Sequence, residues 1–148
     1  MSSADSVGQN TQDSFGSYRL SFAPGQSVAT TGNAVVTLPI LSGGIGGGSY
    51  IIRRITVTNP SNSAGGTVPS VATANVSILT SNDGNASNAV VAAQTLGNVT
   101  GANTWQDLTL AAGAATTAYT ANALFVKVNT GVANAAVNFT VWGDVVSF

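Results

Sequence analysis

The side chains that could carry ionic or acid–base chemistry are few in this chain, and their types exclude most enzymatic mechanisms. Among 148 residues there are four basic residues, five acidic residues that are all aspartates, and no histidine or cysteine. The charged residues are Arg19, Arg53, Arg54, Lys127, Asp5, Asp13, Asp83, Asp107 and Asp144. Nucleophile–base pairs and zinc sites draw mainly on His and Cys. We therefore expect a protein that is not an enzyme and that holds no cofactor and no metal.

The aspartates suggest two further kinds of site, and the pattern favours neither. A pair of carboxylates could hydrolyse a glycoside, but Asp107 and Asp144 are predicted to face outward from separate strands. In the stretch SNDGN at residues 81–85, calcium could use Asp83 with Asn82 and Asn85. Because an aspartate in such a turn commonly hydrogen-bonds its own backbone, we expect an ordinary turn there.

The most glycine-rich stretch, GGIGGG at residues 43–48, invites comparison with loops that bind phosphate. A P-loop requires a lysine after its glycines and then a helix, whereas Ser49 begins a predicted strand. A dinucleotide-binding loop needs a third glycine at the position of Ser49. We therefore predict a flexible connection between strands, which could lie at a crowded contact between subunits because glycines let backbones approach closely.

Arg53 and Arg54 are adjacent in the longest predicted strand, and one of them conflicts with its pattern. Neighbouring strand residues face opposite sides of a sheet, so alternation with Ile51, Ile55 and Val57 predicts that Arg53 points toward the buried face. A buried guanidinium without a partner is costly. The alternative is a β-bulge or a strand end that leaves both arginines in solvent.

A buried arginine would need a carboxylate, and Asp107 and Asp144 are the candidate partners within the chain. One arginine could instead form a bidentate bridge to a neighbouring subunit. In that case, replacing either Arg53 or Arg54 by alanine should weaken assembly more than folding.

The scarcity of charge also indicates the class of protein. Charged residues make up 6% of the chain, against about 25% in an ordinary soluble domain. The net charge of −1 leaves no basic stripe for nucleic acid, and no apolar run approaches the roughly 20 residues of a membrane helix. The N-terminus has neither the basic segment nor the apolar core of a signal peptide. A surface of small neutral residues suits packing against other copies, so we infer an assembly subunit.

Short strands separated by Gly, Asn and Pro fill residues 17–148, after a polar N-terminal arm at residues 1–16. Eight strands with no convincing helix predict an all-β domain, a single jelly-roll-like β-sandwich, with an immunoglobulin-like sandwich as the alternative. The predicted strands are 17–22, 34–40, 49–59, 73–80, 89–96, 104–110, 123–130 and 135–148.

Three local features depend on turn signals and alternation. Pro24-Gly25 is predicted to form a turn, and Asn59-Pro60 to end the third strand. Alternation in the first strand places Phe22 on the face opposite Arg19. The Ala-rich stretch at residues 111–123 is predicted to be a loop that could include one helical turn.

Four segments resemble small β-rich virion proteins of tailed bacteriophages, of the capsid decoration or head-stabilising type. They are GGGSYIIRRITVTNPS, ANVSILTSNDG, TWQDLTLAAGA and ALFVKVNTGVANAAVNFTVWGDVV. The resemblance implies a β-sandwich on the outer surface of a virion, assembled in the host cytoplasm, often as a homotrimer that reinforces the shell. Its partners would be the major capsid protein and other copies of itself, and the polar arm would suit clamping onto them.

A carbohydrate-binding or receptor-adhesion β-sandwich is the second hypothesis, because exposed aromatic rings can stack on sugars. Trp105, Trp142, Tyr50 and Tyr119 are the available rings. The same tryptophans could instead fill a subunit interface, where aromatic residues are enriched. The candidate interface residues are Asp5, Asp13, Phe15, Arg53, Arg54, Asp107, Asp144, Trp105 and Trp142.

Overall fold

A computed structural model describes residues 18–40 and 49–146 and consists mainly of eight β-strands. The strands are β1 (Tyr18–Ser27), β2 (Gly32–Pro39), β3 (Ser49–Asn62), β4 (Asn75–Leu79), β5 (Ala89–Thr95), β6 (Trp105–Asp107), β7 (Ala123–Thr130) and β8 (Ala135–Val146). Asp5, Asp13, Phe15 and the glycine-rich stretch at residues 43–48 lie outside the described residues.

The strand pairing is that of a jelly roll. Antiparallel pairs join β1 to β8, β2 to β7, β3 to β6 and β4 to β5, as in one long hairpin folded over on itself. Two further pairs, β3 with β8 and β4 with β7, complete two four-stranded sheets. Sheet A has the order β1-β8-β3-β6, and sheet B has the order β2-β7-β4-β5. The predicted jelly-roll-like sandwich is therefore correct, and the immunoglobulin-like alternative is not the topology observed.

The core lies between the sheets and follows the predicted alternation most closely in β7 and β8. Leu124, Val126 and Val128 of β7 are fully buried, as are Phe139 and Val141 of β8. Burying each such side chain contributes roughly 1.5–3 kcal/mol relative to exposure. Both are inner strands, so each has a hydrogen-bonded neighbour on either side that fixes its register.

Two strands continue past residues that were predicted to end them. In β1, a register shift between Ala23 and Gln26 accommodates Pro24-Gly25, and Gly25 has a φ of 61°. In β3, a shift between Thr58 and Ser61 accommodates Asn59-Pro60, and Asn59 has a φ of 51°. Both predictions of a strand end were wrong, because a β-bulge absorbs an extra residue without ending the ladder.

The helical content of the described residues is two short 3₁₀ turns. One of them, Ala86–Asn88, lengthens the β4–β5 connection beyond the turn expected at 81–85. The other, Ala114–Thr116, is the helical turn considered possible in the Ala-rich stretch. Among residues 18–40 and 49–146, therefore, no helix has the length and apolar character needed to cross a membrane.

The four outer strands of the sandwich are protected without the lysines that often guard a sheet edge. Edge strands β1 and β2 carry Pro24 and Pro39, and both are interrupted by register shifts. Edge strand β6 is only three residues long. The edge of β5 is covered where the backbone N–H of Ala111 donates to the carbonyl of Val90 at 2.7 Å. The edge strands are therefore poorly suited to pairing with a further strand.

Candidate interaction surface

A β-bulge places both adjacent arginines on the outer face of sheet A. Ile52 lies opposite Gly143 and Arg54 opposite Trp142, so Arg53 is the extra residue. The bulge reverses which alternate residues of the strand face the core. Ile52 is buried before the bulge and Ile55 after it, while both arginines are exposed. The alternation that predicted a buried Arg53 was therefore wrong, and the bulge alternative is correct.

Each arginine is paired with one of the two predicted aspartates of the same chain. The Nε of Arg53 donates to Oδ2 of Asp144, and the Nε of Arg54 donates to Oδ1 of Asp107, both at 2.8 Å. The Thr56 hydroxyl donates to the same Asp107 oxygen at 2.7 Å. About half of each arginine side chain is exposed, 49% and 51%, so each pair contributes at most about 1 kcal/mol to stability.

Aromatic rings surround the arginines on this face. Trp105 is 54% exposed, and the guanidinium of Arg54 lies 5.7 Å from the centre of its ring. Trp142 is partly buried and sits in register between Arg19 and Arg54 on the two neighbouring strands. The contact of Arg54 with Trp105 contributes about 0.5–1 kcal/mol, as cation–π contacts do at exposed sites.

Phe22 lies on the same face as Arg19, contrary to the prediction. It is 45% exposed, and the guanidinium carbon of Arg19 lies 5.2 Å from its ring centre. A register shift between Arg19 and Ser21 moves Phe22 outward while Leu20 and Ala23 stay buried. Sequence reasoning did not select Arg19 and Phe22, because nothing in the pattern indicated this bulge.

These residues form a surface that we call the arginine–aromatic face. Its members are Arg19, Phe22, Arg53, Arg54, Trp105, Asp107, Trp142 and Asp144. It carries five of the seven charged side chains of the described residues. It also carries the large hydrophobic side chains that are exposed among those residues, Phe22 and Trp105. Asp107 and Asp144 engage the Nε atoms of their arginines, and Nη1 of Arg53 also donates to the carbonyl of Ala115 at 3.4 Å, so Arg54 offers the freer guanidinium edge to a partner. The arrangement is suited to contact with a binding partner.

Asp83, considered as a calcium ligand, organises its own loop instead. Its carboxylate accepts from the backbone N–H of Asn85 at 2.9 Å, the Ser81 hydroxyl at 2.7 Å and the Asn88 amide at 3.4 Å. The hydrogen bond from Asn85, followed by that from Ser81, lowers the pKa of Asp83. Among the described residues, no three His, Cys, Asp or Glu side chains come together as metal ligands.

Tyr50 is not available for stacking on a sugar, which corrects its inclusion among the candidate rings. It is fully buried at the start of β3, and its hydroxyl donates to the carbonyl of Ala121 at 2.7 Å. Its backbone pairs in both directions with Tyr119, and the two ring centres lie 6.1 Å apart. Tyr50 therefore anchors β3 to the β6–β7 connection.

The outer face of sheet B carries a cleft of about 180 Å³, which we call the alanine cleft. The β4–β5 loop folds over β7 there, where the ammonium of Lys127 donates to the carbonyl of Gly84 at 3.4 Å. The cleft is lined by Ser77, Leu79, Gly84, Ala86, Ala89, Ala92, Ala93, Lys127 and Asn129. Its walls are mostly short and apolar, and Lys127 supplies its charge.

Comparisons of the chain with protein-family models, with curated proteins and with solved structures find no match.

Proposed function

We propose that this chain is a structural virion protein that binds the outside of a bacteriophage capsid as an oligomer and stabilises the shell. The observation that supports this most is the arginine–aromatic face. Five charged side chains and two exposed aromatic rings on one sheet make a surface for a protein partner. Tryptophan and arginine are also the residues that most often dominate the binding energy of such contacts.

The charges of this face suit a contact that covers a broad surface and depends little on salt. Arg53 and Arg54 are neutralised within the chain, so a partner need not supply carboxylates at those positions to avoid burying unpaired charge. Small side chains over the remaining surface lose little conformational entropy on packing. A shell-stabilising protein, which must bind at many equivalent positions, benefits from both properties.

The alternative is a carbohydrate-binding or receptor-adhesion module, and Trp105 is the observation in its favour. A ring that is 54% exposed beside an arginine resembles a platform for a sugar. The two functions predict different partners, so a glycan array separates them. Binding to a glycan that is lost in Trp105→Ala would support adhesion, whereas silence on the array together with capsid binding would support decoration.

The experiment that tests the proposal follows the chain through particle purification. Particles from infected cells are sedimented and their chains counted by mass spectrometry. We expect this chain at a stoichiometric ratio to the capsid protein, and particles made without it should release their DNA at a lower temperature. A chain that stays in the supernatant, or particles of unchanged heat stability, would contradict the proposal.

A further inference from the structure

We propose that the alanine cleft of one copy receives Trp105 of a second copy, so that the chain assembles head to tail. The cleft lies on sheet B and Trp105 on sheet A, so the contact joins two different surfaces. The inference concerns self-association alone and does not require the capsid role.

Size is the first argument for this occupant. A cavity of roughly 150 Å³ in a protein interior admits benzene, so a cleft of about 180 Å³ is large enough for one aromatic ring. Alanines supply much of its wall, including Ala92 and Ala93 on β5, which are both exposed. Trp105 is the most exposed large hydrophobic side chain of the described residues and stands on a three-residue edge strand.

Charge complementarity is the second argument. Among the described residues, the ammonium of Lys127 has a carbonyl but no carboxylate as its partner, and it lines the cleft. Asp107 follows Trp105 by two residues on the same face of β6, and its side chain is 42% exposed. Arg54 and Thr56 both donate to Oδ1 of Asp107, which leaves Oδ2 available. A ring seated in the cleft would therefore bring Asp107 toward Lys127.

The geometry of such a contact has a consequence for assembly. Because the donor and acceptor surfaces differ, the interface is heterologous, and it forms a closed ring when the rotation between copies allows closure. Since the sheet edges are protected, growth by strand addition does not compete with it.

The test uses two variants of the purified chain, each lacking one half of the contact. Trp105→Ala removes the inserted ring, and Ala93→Phe fills the cleft. We expect wild type to be oligomeric in analytical ultracentrifugation and each variant alone to be monomeric, with a dissociation constant raised at least about 30-fold for Trp105→Ala. A mixture of the two should form a one-to-one dimer, because Ala93→Phe still offers Trp105 and Trp105→Ala still offers the cleft.

Matched controls separate this contact from others. Phe22→Ala removes the other exposed ring at the opposite edge of sheet A, and Ala64→Phe adds a ring to an exposed loop away from the cleft. Both should remain oligomeric. Every variant should remain folded, because the altered side chains are exposed, and the two monomeric variants should unfold below wild type only by the stability that assembly adds.

Three results would overturn the proposal. Wild type could be monomeric at high concentration, or Trp105→Ala could leave the oligomer intact. The two variants could also fail to form a dimer when mixed although both are folded, which would indicate a contact of another kind. Failure here would leave capsid binding itself standing, since that binding is measured on particles, whereas a monomeric wild type would remove the oligomer from the proposed function.

Discussion

At the scale of single residues, burial changes the ionisation of Tyr50. Burial, with a smaller effect from Tyr119, raises the pKa of Tyr50 to about 12. The folded state therefore retains the phenol proton in a pH range where the unfolded chain, with a pKa near 10, loses it.

Stability should consequently fall as pH rises from 10 to 12, by roughly 2–3 kcal/mol. Below pH 10 the contribution of Tyr50 is fully present. Tyr50→Phe should remove this fall, while costing about 1–3 kcal/mol at pH 7 because the carbonyl of Ala121 loses its donor. Urea unfolding across pH 7–12 checks this, with Tyr119→Phe as the control that keeps most of the fall. An unchanged pH slope in Tyr50→Phe would contradict the assignment.

Gly143 is required for close packing of β8 against β3 rather than for backbone freedom. A Cβ at this position would collide with the carbonyl oxygen of Ile51 and come within 2.8 Å of Leu20 Cδ1. Gly143→Ala should therefore destabilise the fold by roughly 1–3 kcal/mol or more. Gly101→Ala is the matched control, since nothing lies within 4 Å of the added Cβ. Equal unfolding midpoints for the two variants would refute this explanation.

At the scale of elements, the bulge in β3 explains how two adjacent arginines fit in a sandwich strand. Because it exposes both, neither guanidinium is buried without a partner. Arg53→Ala and Arg54→Ala should each cost at most about 1 kcal/mol of monomer stability. Chemical denaturation of the separate variants measures this, and a loss of several kcal/mol in either would contradict the exposed geometry. On the proposed function, capsid binding should weaken more than folding does.

How far the sequence predicts each element depends on the regularity of its alternation. The bounds of β7 are those expected, because Leu124, Val126 and Val128 alternate without interruption. The Asp partners of the arginines were also predicted correctly, since few carboxylates exist to choose from. The bulge at Arg53 was expected only as an alternative, and the bulges in β1 and at Asn59-Pro60 were not predicted, because one inserted residue reverses the facing of every later residue. The alanine cleft was missed as well, because alanines carry no chemical signal and only the loop fold brings them together.

At the scale of the whole molecule, the jelly roll presents two outer sheet faces with different side chains. The sheet edges are protected by prolines, by register shifts and by the segment that covers β5. The two outer sheet faces differ in the side chains that they carry. Sheet A presents arginines and aromatic rings, and sheet B presents the alanine cleft. On the two proposals together, Trp105 joins copies of the chain, and Arg19 and Phe22 at the opposite edge of sheet A remain for the shell.

The measurement that tests the central claim most directly is binding of the purified chain to capsids that lack it. Wild type, Phe22→Ala combined with Arg19→Ser, and the Ala64→Phe control are each incubated with such capsids and sedimented. We expect saturable, stoichiometric binding of wild type and of the control, with reduced occupancy for the double variant. No binding of wild type, or equal binding of all three proteins, would contradict the claim that the arginine–aromatic face attaches this chain to a shell.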